Sequence, residues 1–190
     1  MLCCGLWGGR EELDGLMAGR EFVLGYPVAD ESITGSRLAC CVFDHIMLER
    51  RDRVRFPHYE RVEALFASCG IGLEHPHDML EWIWLHIAIN AGVVAVAGMY
   101  GDVGDTARSA ERLMGSTRML VRAVRAIRET SGIVASRGVK KIIVMNLSNF
   151  SYRITSYDEI AYELPESSLY KEHYDTRWQN RIIVIDGDWI

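Results

Sequence analysis

One segment limits what this chain can fold into more than any other: residues 82–100, WIWLHIAINAGVVAVAGMY, contain no formally charged side chain. A run of this length approaches the ~20 residues that a helix needs to cross a bilayer, but the central helix of a soluble protein has the same pattern. His86 and Asn90 lie inside the run, and polar groups within a bilayer are costly. We therefore expect a helix over residues 79–99 that is capped by Asp78, buried on all sides and not inserted in a membrane.

Composition and charge narrow the class of protein. The chain has 190 residues, 49% of them hydrophobic and 25% charged, which is the composition of one globular domain or of one domain with part of a second. The formal net charge of −5 makes a nucleic-acid partner unlikely on electrostatic grounds, because phosphate binding normally needs a basic excess. The cysteines at positions 3, 4, 40 and 41 form adjacent pairs, which does not suit a secreted disulfide framework, and the N-terminus lacks a signal-peptide pattern. We expect a cytoplasmic protein.

The hydrophobic pattern predicts an α+β fold that is mainly helical: a helical bundle around the buried central helix, preceded by strands. Four segments around the central helix carry most of this prediction. They are a strand that ends near Pro27, a strand over residues 37–48, a helix over residues 58–69 and a second long helix from residue 105 or 106 to about residue 131 or beyond. Two further strands are predicted in the tail, at KKIIVMNL and RIIVIDG.

His86 and Asn90 are the most prominent candidate site residues. Their spacing of four places both side chains on one face of the apolar helix. Buried polar groups must find hydrogen-bond partners, so the pair is either a satisfied pair of core residues or part of a ligand-binding site. Trp84 lies in the same stretch and is expected to belong to the core or to the wall of such a site.

Three other motifs have both a structural and a functional interpretation. Gly5, Gly8 and Gly9 follow a short strand and precede a helix, which is the context of a phosphate loop, but their spacing also suits an ordinary turn. His75 and His77 have no third ligand at metal-binding spacing, so no metal site is expected.

Arginines form the third motif, on the second long helix. Arg118, Arg122 and Arg125 fall on the face opposite an apolar stripe. They form either a solvated helix face or a surface for an anionic partner such as a phosphorylated ligand.

The order of these segments resembles the second half of the ketopantoate reductase (2-dehydropantoate 2-reductase) family. The central helix of that family carries the motif Trp-x-Lys-Leu-x-x-Asn-x-x-x-Asn. Here Trp84 takes the place of its Trp, His86 that of its Lys and Asn90 that of its first Asn. Val94 stands where the second Asn belongs. The resemblance covers about residues 1–139.

The resemblance implies an NADP-dependent oxidoreductase of pantothenate biosynthesis, in which a Rossmann domain precedes a helical domain. It assigns residues 1–50 to a remnant of the dinucleotide-binding domain, residues 51–139 to a helical substrate-binding and dimerisation domain, and residues 140–190 to a divergent tail. The substrate would be a small 2-keto acid, and the partner a second copy of the chain.

The family's site residues carry over in the same way. His86 would be the catalytic acid or polariser, Asn90 and Trp84 would bind substrate, and Gly5 and Gly8 would contact the cofactor. The resemblance starts near the end of the Rossmann domain, so we expect this chain alone to be inactive. The alternative is a non-catalytic remnant that serves as an interaction or dimerisation module.

Overall fold

The computed structural model describes residues 1–34, 36–100, 106–140, 142–146, 151–155 and 182–185. The chain has an α+β fold, as predicted, and helices take up more of its described part than strands do. It divides into two compact units, Met1–Trp84 and Leu85–Ile190. The predicted boundaries after residues 50 and 139 stay predictions.

The first unit contains a mixed sheet of four strands. In their spatial order these are β1 (Leu2–Cys3), β2 (Leu24–Thr34), β3 (Arg37–Leu48) and β4 (Gly72–Glu74). The central pair, β2 and β3, is antiparallel, and each outer strand pairs in parallel with its neighbour.

The prediction that the second strand ends near Pro27 is wrong. The strand continues to Thr34, and its register with β3 shifts between Pro27 and Ala29. Proline has no N–H to donate to the ladder, so it causes an irregularity in this strand without ending it.

Two helices and a short 3₁₀ turn complete the first unit. These elements are α1 (Arg10–Met17), the turn Arg51–Arg53 and α2 (Tyr59–Ser68), which lies within the predicted helix over residues 58–69. Val23, Leu48 and Tyr59 form the centre of a small hydrophobic core. This core therefore joins the sheet to the start of α2.

Glu49, directly after β3, is a buried carboxylate that connects four elements of this unit. Its side chain is only 8% exposed, and it accepts hydrogen bonds from Arg10 Nη1 and from the backbone N–H of Leu24, the latter at 3.1 Å. The Tyr59 hydroxyl donates to the Glu49 carbonyl oxygen at 2.6 Å. Burial of that hydroxyl raises the pKa of Tyr59 to about 12. The end of β3 is thereby tied to α1, β2 and α2.

We predict that Glu49→Ala lowers the free energy of unfolding by about 2–3 kcal/mol, because it leaves the Arg10 guanidinium and the Leu24 N–H without their partner. Chemical denaturation of the two chains measures the difference. Glu60→Ala is the matched control, since Glu60 pairs with Arg51 where both side chains are mostly exposed. Equal losses in the two variants would contradict a special role for the buried carboxylate.

The helix α3 (Met79–Tyr100) begins in the first unit and continues into the second. Its start is as predicted: the Asp78 carboxylate accepts from the N–H groups of Leu80 and Glu81 at 2.9 and 3.0 Å. Within the described residues, α3 is the helix long and apolar enough to cross a membrane by length and composition. The core helix of a soluble protein meets the same criterion.

The prediction that this helix is buried on all sides is wrong for its second half. Ile89 and Val96 are buried, whereas Val94 is 62% and Met99 70% exposed. The run is uncharged all round, and among the described residues the face with Gly92 and Val96 is the one that packs against other helices of the second unit. A lack of charge therefore did not imply a lack of solvent contact.

The second long helix was predicted as one element, and the structure divides it into α4 (Thr106–Met114) and α5 (Thr117–Ala135). Ser116 has extended backbone angles, and its hydroxyl accepts from the N–H of Met119 at 3.4 Å. Serine is a favoured N-cap residue, so it starts a new helix where the apolar periodicity alone suggested continuity.

The α3 and α5 helices approach so closely at Gly92 that no side chain fits there. A Cβ built on Gly92 would lie 2.5 Å from the Ile127 backbone nitrogen and 2.8 Å from its Cα. Near this point the Thr130 hydroxyl donates to the Ala88 carbonyl oxygen at 2.7 Å. The contact is continued by a core cluster of Val96, Leu113, Leu120 and Ala123.

We predict that Gly92→Ala destabilises the chain by about 1–3 kcal/mol, because the added methyl group must push two helix backbones apart. Gly98→Ala is the matched control on the same helix, since a Cβ there meets nothing within 4 Å. That change should stabilise by about 0.5–1 kcal/mol through helix propensity. Thermal unfolding measures the change in stability of each variant. Destabilisation by both substitutions would contradict the packing argument.

The tail contains a three-stranded antiparallel sheet in the order β6-β5-β7. Its strands are β5 (Ile142–Asn146), β6 (Ser151–Thr155) and β7 (Ile182–Ile185). The first and the last match the two strands predicted from KKIIVMNL and RIIVIDG. The middle one begins in a polar, tyrosine-rich stretch in which the sequence indicated no strand.

Candidate functional site

The structure brings His86 and Asn90 together on α3. The Asn90 Nδ2 amide donates to the His86 Nε2 atom at 2.9 Å. An amide nitrogen has no lone pair to offer, so Nε2 must be the acceptor, and the proton of the neutral ring is then on Nδ1. The spacing of four therefore predicted a real contact.

The surroundings of this pair differ between its two members. The His86 ring is half-buried, whereas the Asn90 side chain is exposed. The interpretation of the two residues as a satisfied pair within the core is therefore wrong for Asn90. Because Asn90 is exposed, a ligand can reach its side chain.

Burial decides the charge of His86. It lowers the pKa of the imidazole from 6.5 to about 4, because a charged ring loses its hydration there. The ring is then neutral at pH 7. A neutral imidazole donates and accepts hydrogen bonds, so it suits the polarisation of a carbonyl better than the delivery of a proton from an imidazolium.

We predict a pH dependence of stability that depends on His86. The folded-state pKa of about 4 lies below the ordinary 6.5, so between these values the folded chain binds fewer protons than the unfolded chain. This contribution to the free energy of unfolding is complete above pH 6.5 and is lost as the pH falls toward 4. His86→Gln should flatten that slope in denaturation curves across the window. His58→Gln, a change of an exposed ring, is the control, and an unaltered slope in His86→Gln would refute the prediction.

Trp84 is the other candidate on α3. It lies two positions before His86, and residues at this spacing do not face each other on a helix. Its ring is half-buried. The helix thus presents Trp84 and the His86–Asn90 pair in different directions, and the substrate role of Trp84 stays a prediction.

The glycine loop at the start of the first unit has acidic surroundings. The Glu12 carboxylate occupies the space in which a Gly8 side chain would lie, and Glu11 does the same at Gly9. A phosphate group at this helix start would meet both negative charges, so the loop as folded does not fit one. Gly5 has open space around it, and its cofactor role, like that of Gly8, stays a prediction.

One of the three arginines on the exposed face of α5 makes a contact within the fold. Arg118 and Arg125 are exposed, whereas the half-buried Arg122 places its guanidinium carbon 5.1 Å from the centre of the Tyr100 ring. This cation–π contact fixes one of the three side chains within its own unit. The geometry fits a solvated helix face better than a continuous surface for a phosphate backbone.

The two histidines of the HPH motif have protein partners. The His75 Nδ1 donates to the Leu48 carbonyl oxygen at 3.1 Å, and His77 Nε2 accepts from Arg53 at 3.3 Å. No group of three histidine, cysteine or acidic side chains in the described part of the chain is arranged to hold a metal ion. The exposed Cys3 and Cys69 and the half-buried Cys4 are free thiols, and the side chains of Cys40 and Cys41 lie outside the described residues.

The first unit contains a cleft that the sequence did not indicate. It has a volume of about 210 Å³ and is lined by Arg10, Glu49, Arg50, Arg53, Pro76, His77, Asp78, Met79 and Leu80. The signal that could have pointed to it is the run of charges ERRDR directly after an apolar strand, which looks like a solvated linker when it is considered alone.

Comparison with models of protein families, with curated proteins and with solved structures finds no match for this chain. The resemblance to the ketopantoate reductase family therefore depends on the order of the segments and on the motif that contains Trp84, His86 and Asn90. The chemistry of the site has to be argued from the residues themselves.

Proposed function

We propose that this chain carries the helical, substrate-binding half of a ketopantoate reductase-like, NADP-dependent oxidoreductase that reduces a 2-keto acid or a related carbonyl. The contact between His86 and Asn90 is the observation that carries the proposal. These residues take the places of the Lys and the first Asn of the family motif, and their side chains bond to each other within the uncharged run of residues 82–100. Strands β1 to β3 would be the closing part of the dinucleotide-binding domain.

The two side chains would act on the substrate in different ways. The neutral His86 polarises the carbonyl by hydrogen bonding, and solvent supplies the proton that the product oxygen takes up. The exposed Asn90 amide orients the substrate through the groups that it does not use on His86. The imidazole is shorter than a lysine side chain, so the carbonyl must bind closer to α3 than the family motif implies.

Val94 defines the substrate further. It stands in the place of the second Asn of the motif and is 62% exposed, so that position offers an apolar surface where the family has an amide. A substrate with fewer hydroxyl groups than ketopantoate suits this arrangement. The cofactor part of the proposal comes from the resemblance alone, since the Gly5 to Gly9 loop faces carboxylates.

The test is a fluorescence titration of NADPH, followed by NADPH oxidation with small 2-keto acids in the presence of a partner chain that supplies the dinucleotide-binding domain, because the chain alone is expected to be inactive. We predict that His86→Gln and Asn90→Ala abolish turnover while the chain stays folded. Val94→Asn should raise kcat/KM several-fold for ketopantoate in particular, because one added hydrogen bond to its hydroxyl group is worth about 0.5–1.5 kcal/mol. Val94→Ala is its control, a smaller side chain at the same position without an amide. Full activity of His86→Gln would refute the proposed role of that ring.

A non-catalytic interaction or dimerisation module is the second candidate. The observation that favours it is the exposure of large apolar side chains in the second unit, with Val94 62%, Met99 70% and Ile133 56% exposed. Exposed apolar surface of this kind is typical of protein contacts. A chain that binds no NADPH but forms a dimer, and loses that dimer on Met99→Glu in sedimentation experiments, would be such a module.

A further inference from the structure

The cleft of the first unit has the composition of a binding site that is separate from the His86–Asn90 pair. Three arginines and a histidine line it together with two carboxylates and three apolar side chains. We propose that this cleft binds an oxyanion, namely a carboxylate or phosphate group of a small molecule. The proposal does not depend on the reductase function, because neither His86 nor Asn90 belongs to the cleft.

Two of the three guanidinium groups are already neutralised. Arg10 pairs with the buried Glu49, and Arg50 forms a two-pronged pair with Asp52, with both N–O distances at 2.9 Å. Arg50 donates two parallel hydrogen bonds, a geometry that orients its guanidinium, whereas Arg10 donates one to the buried Glu49. Neither pair leaves a surplus of charge on the cleft wall.

Arg53 is the remaining cation of the cleft. Its Nη2 donates to His77 Nε2 at 3.3 Å, and since that nitrogen accepts, the imidazole partner is neutral in this arrangement. Within the described residues, no carboxylate lies within ion-pair distance of the Arg53 guanidinium. An entering oxyanion could therefore take both prongs of Arg53 without breaking an ion pair.

The two acidic residues that line the cleft are both engaged. The Asp78 carboxylate accepts from the N–H groups of Leu80 and Glu81 at the start of α3, and Glu49 accepts from Arg10. Together with Asp52, the partner of Arg50, they balance the formal charges of the three arginines. An oxyanion would therefore bind through the local charge and the N–H groups of Arg53 and not through a net positive charge of the cleft.

The size and the remaining wall of the cleft limit the ligand to a small molecule. A volume of about 210 Å³ corresponds to roughly seven water molecules at their liquid volume. Pro76, Met79 and Leu80 form an apolar side of the cleft, and Met79 is only 3% exposed. A short aliphatic acid or a small phosphate ester would place its charge on Arg53 and its body on this side.

The test is calorimetric titration of the full chain with inorganic phosphate, acetate and isobutyrate at low ionic strength. We predict saturable binding of at least one of them. Phosphate binding alone assigns the cleft to phosphate groups, and isobutyrate binding tighter than acetate assigns it to carboxylates that use the apolar side. Binding should shift the ring signals of His77 in NMR spectra, because the ligand displaces its bond with Arg53.

Arg53→Gln should weaken binding about tenfold, which corresponds to the loss of one charge-assisted hydrogen bond. Arg55→Gln is the matched control, since Arg55 is two positions away, is 95% exposed and lies outside the cleft. His77→Gln provides a second variant if Arg53→Gln does not fold. Absence of saturable binding at millimolar ligand, or equal weakening by Arg55→Gln, would overturn the proposal whatever the outcome of the reductase assays.

Discussion

The close approach of two helix backbones at Gly92 is the contact on which the second unit depends. An α-helix with an uncharged surface gains stability when an apolar face leaves water, and α3 does so by bringing Gly92 against the backbone of Ile127. The small residue allows dispersion contacts over the full backbone rather than between side-chain tips. The Thr130 hydroxyl then sets the register by its bond to the Ala88 carbonyl oxygen.

This manner of packing also explains why the opposite side of α3 remains in solvent. The face with Gly92 and Val96 packs against α4 and α5. The apolar side chains of Val94 and Met99 are exposed. His86 is half-buried whereas Asn90, one turn further along, is exposed, so the imidazole loses more of its hydration than the amide does. The lowered pKa of the histidine is thus a consequence of its burial in the folded chain.

In the first unit the packing of the elements depends on a buried carboxylate. Glu49 satisfies both a guanidinium and a backbone N–H, and its own carbonyl oxygen accepts from Tyr59. A buried charge is stable only when these hydrogen-bond partners surround it, so it restricts which elements can pack at this position. The same network positions Arg10 on the wall of the cleft. Glu49 therefore both stabilises the fold of the first unit and lines a candidate binding site.

The sequence was most informative where a pattern is local. The absence of charge over residues 82–100 predicted α3, the strand predicted over residues 37–48 matches β3, and the spacing of four brought His86 to Asn90. It was misleading where two local signals compete. Ser116 caps a new helix inside an apolar repeat, and Pro27 interrupts a strand that the neighbouring β3 nevertheless continues to pair.

What the sequence by itself determined about this protein is the type and place of most elements and the side-chain pair on α3, because these follow from the periodicity of one helix or strand. Only the tertiary structure decided that half of α3 faces solvent, that Gly92 is a packing contact and that Arg53 and His77 meet in a cleft. Each of these depends on which distant segment lies against a residue. That choice is made by the burial of the whole chain, which no short window of residues contains.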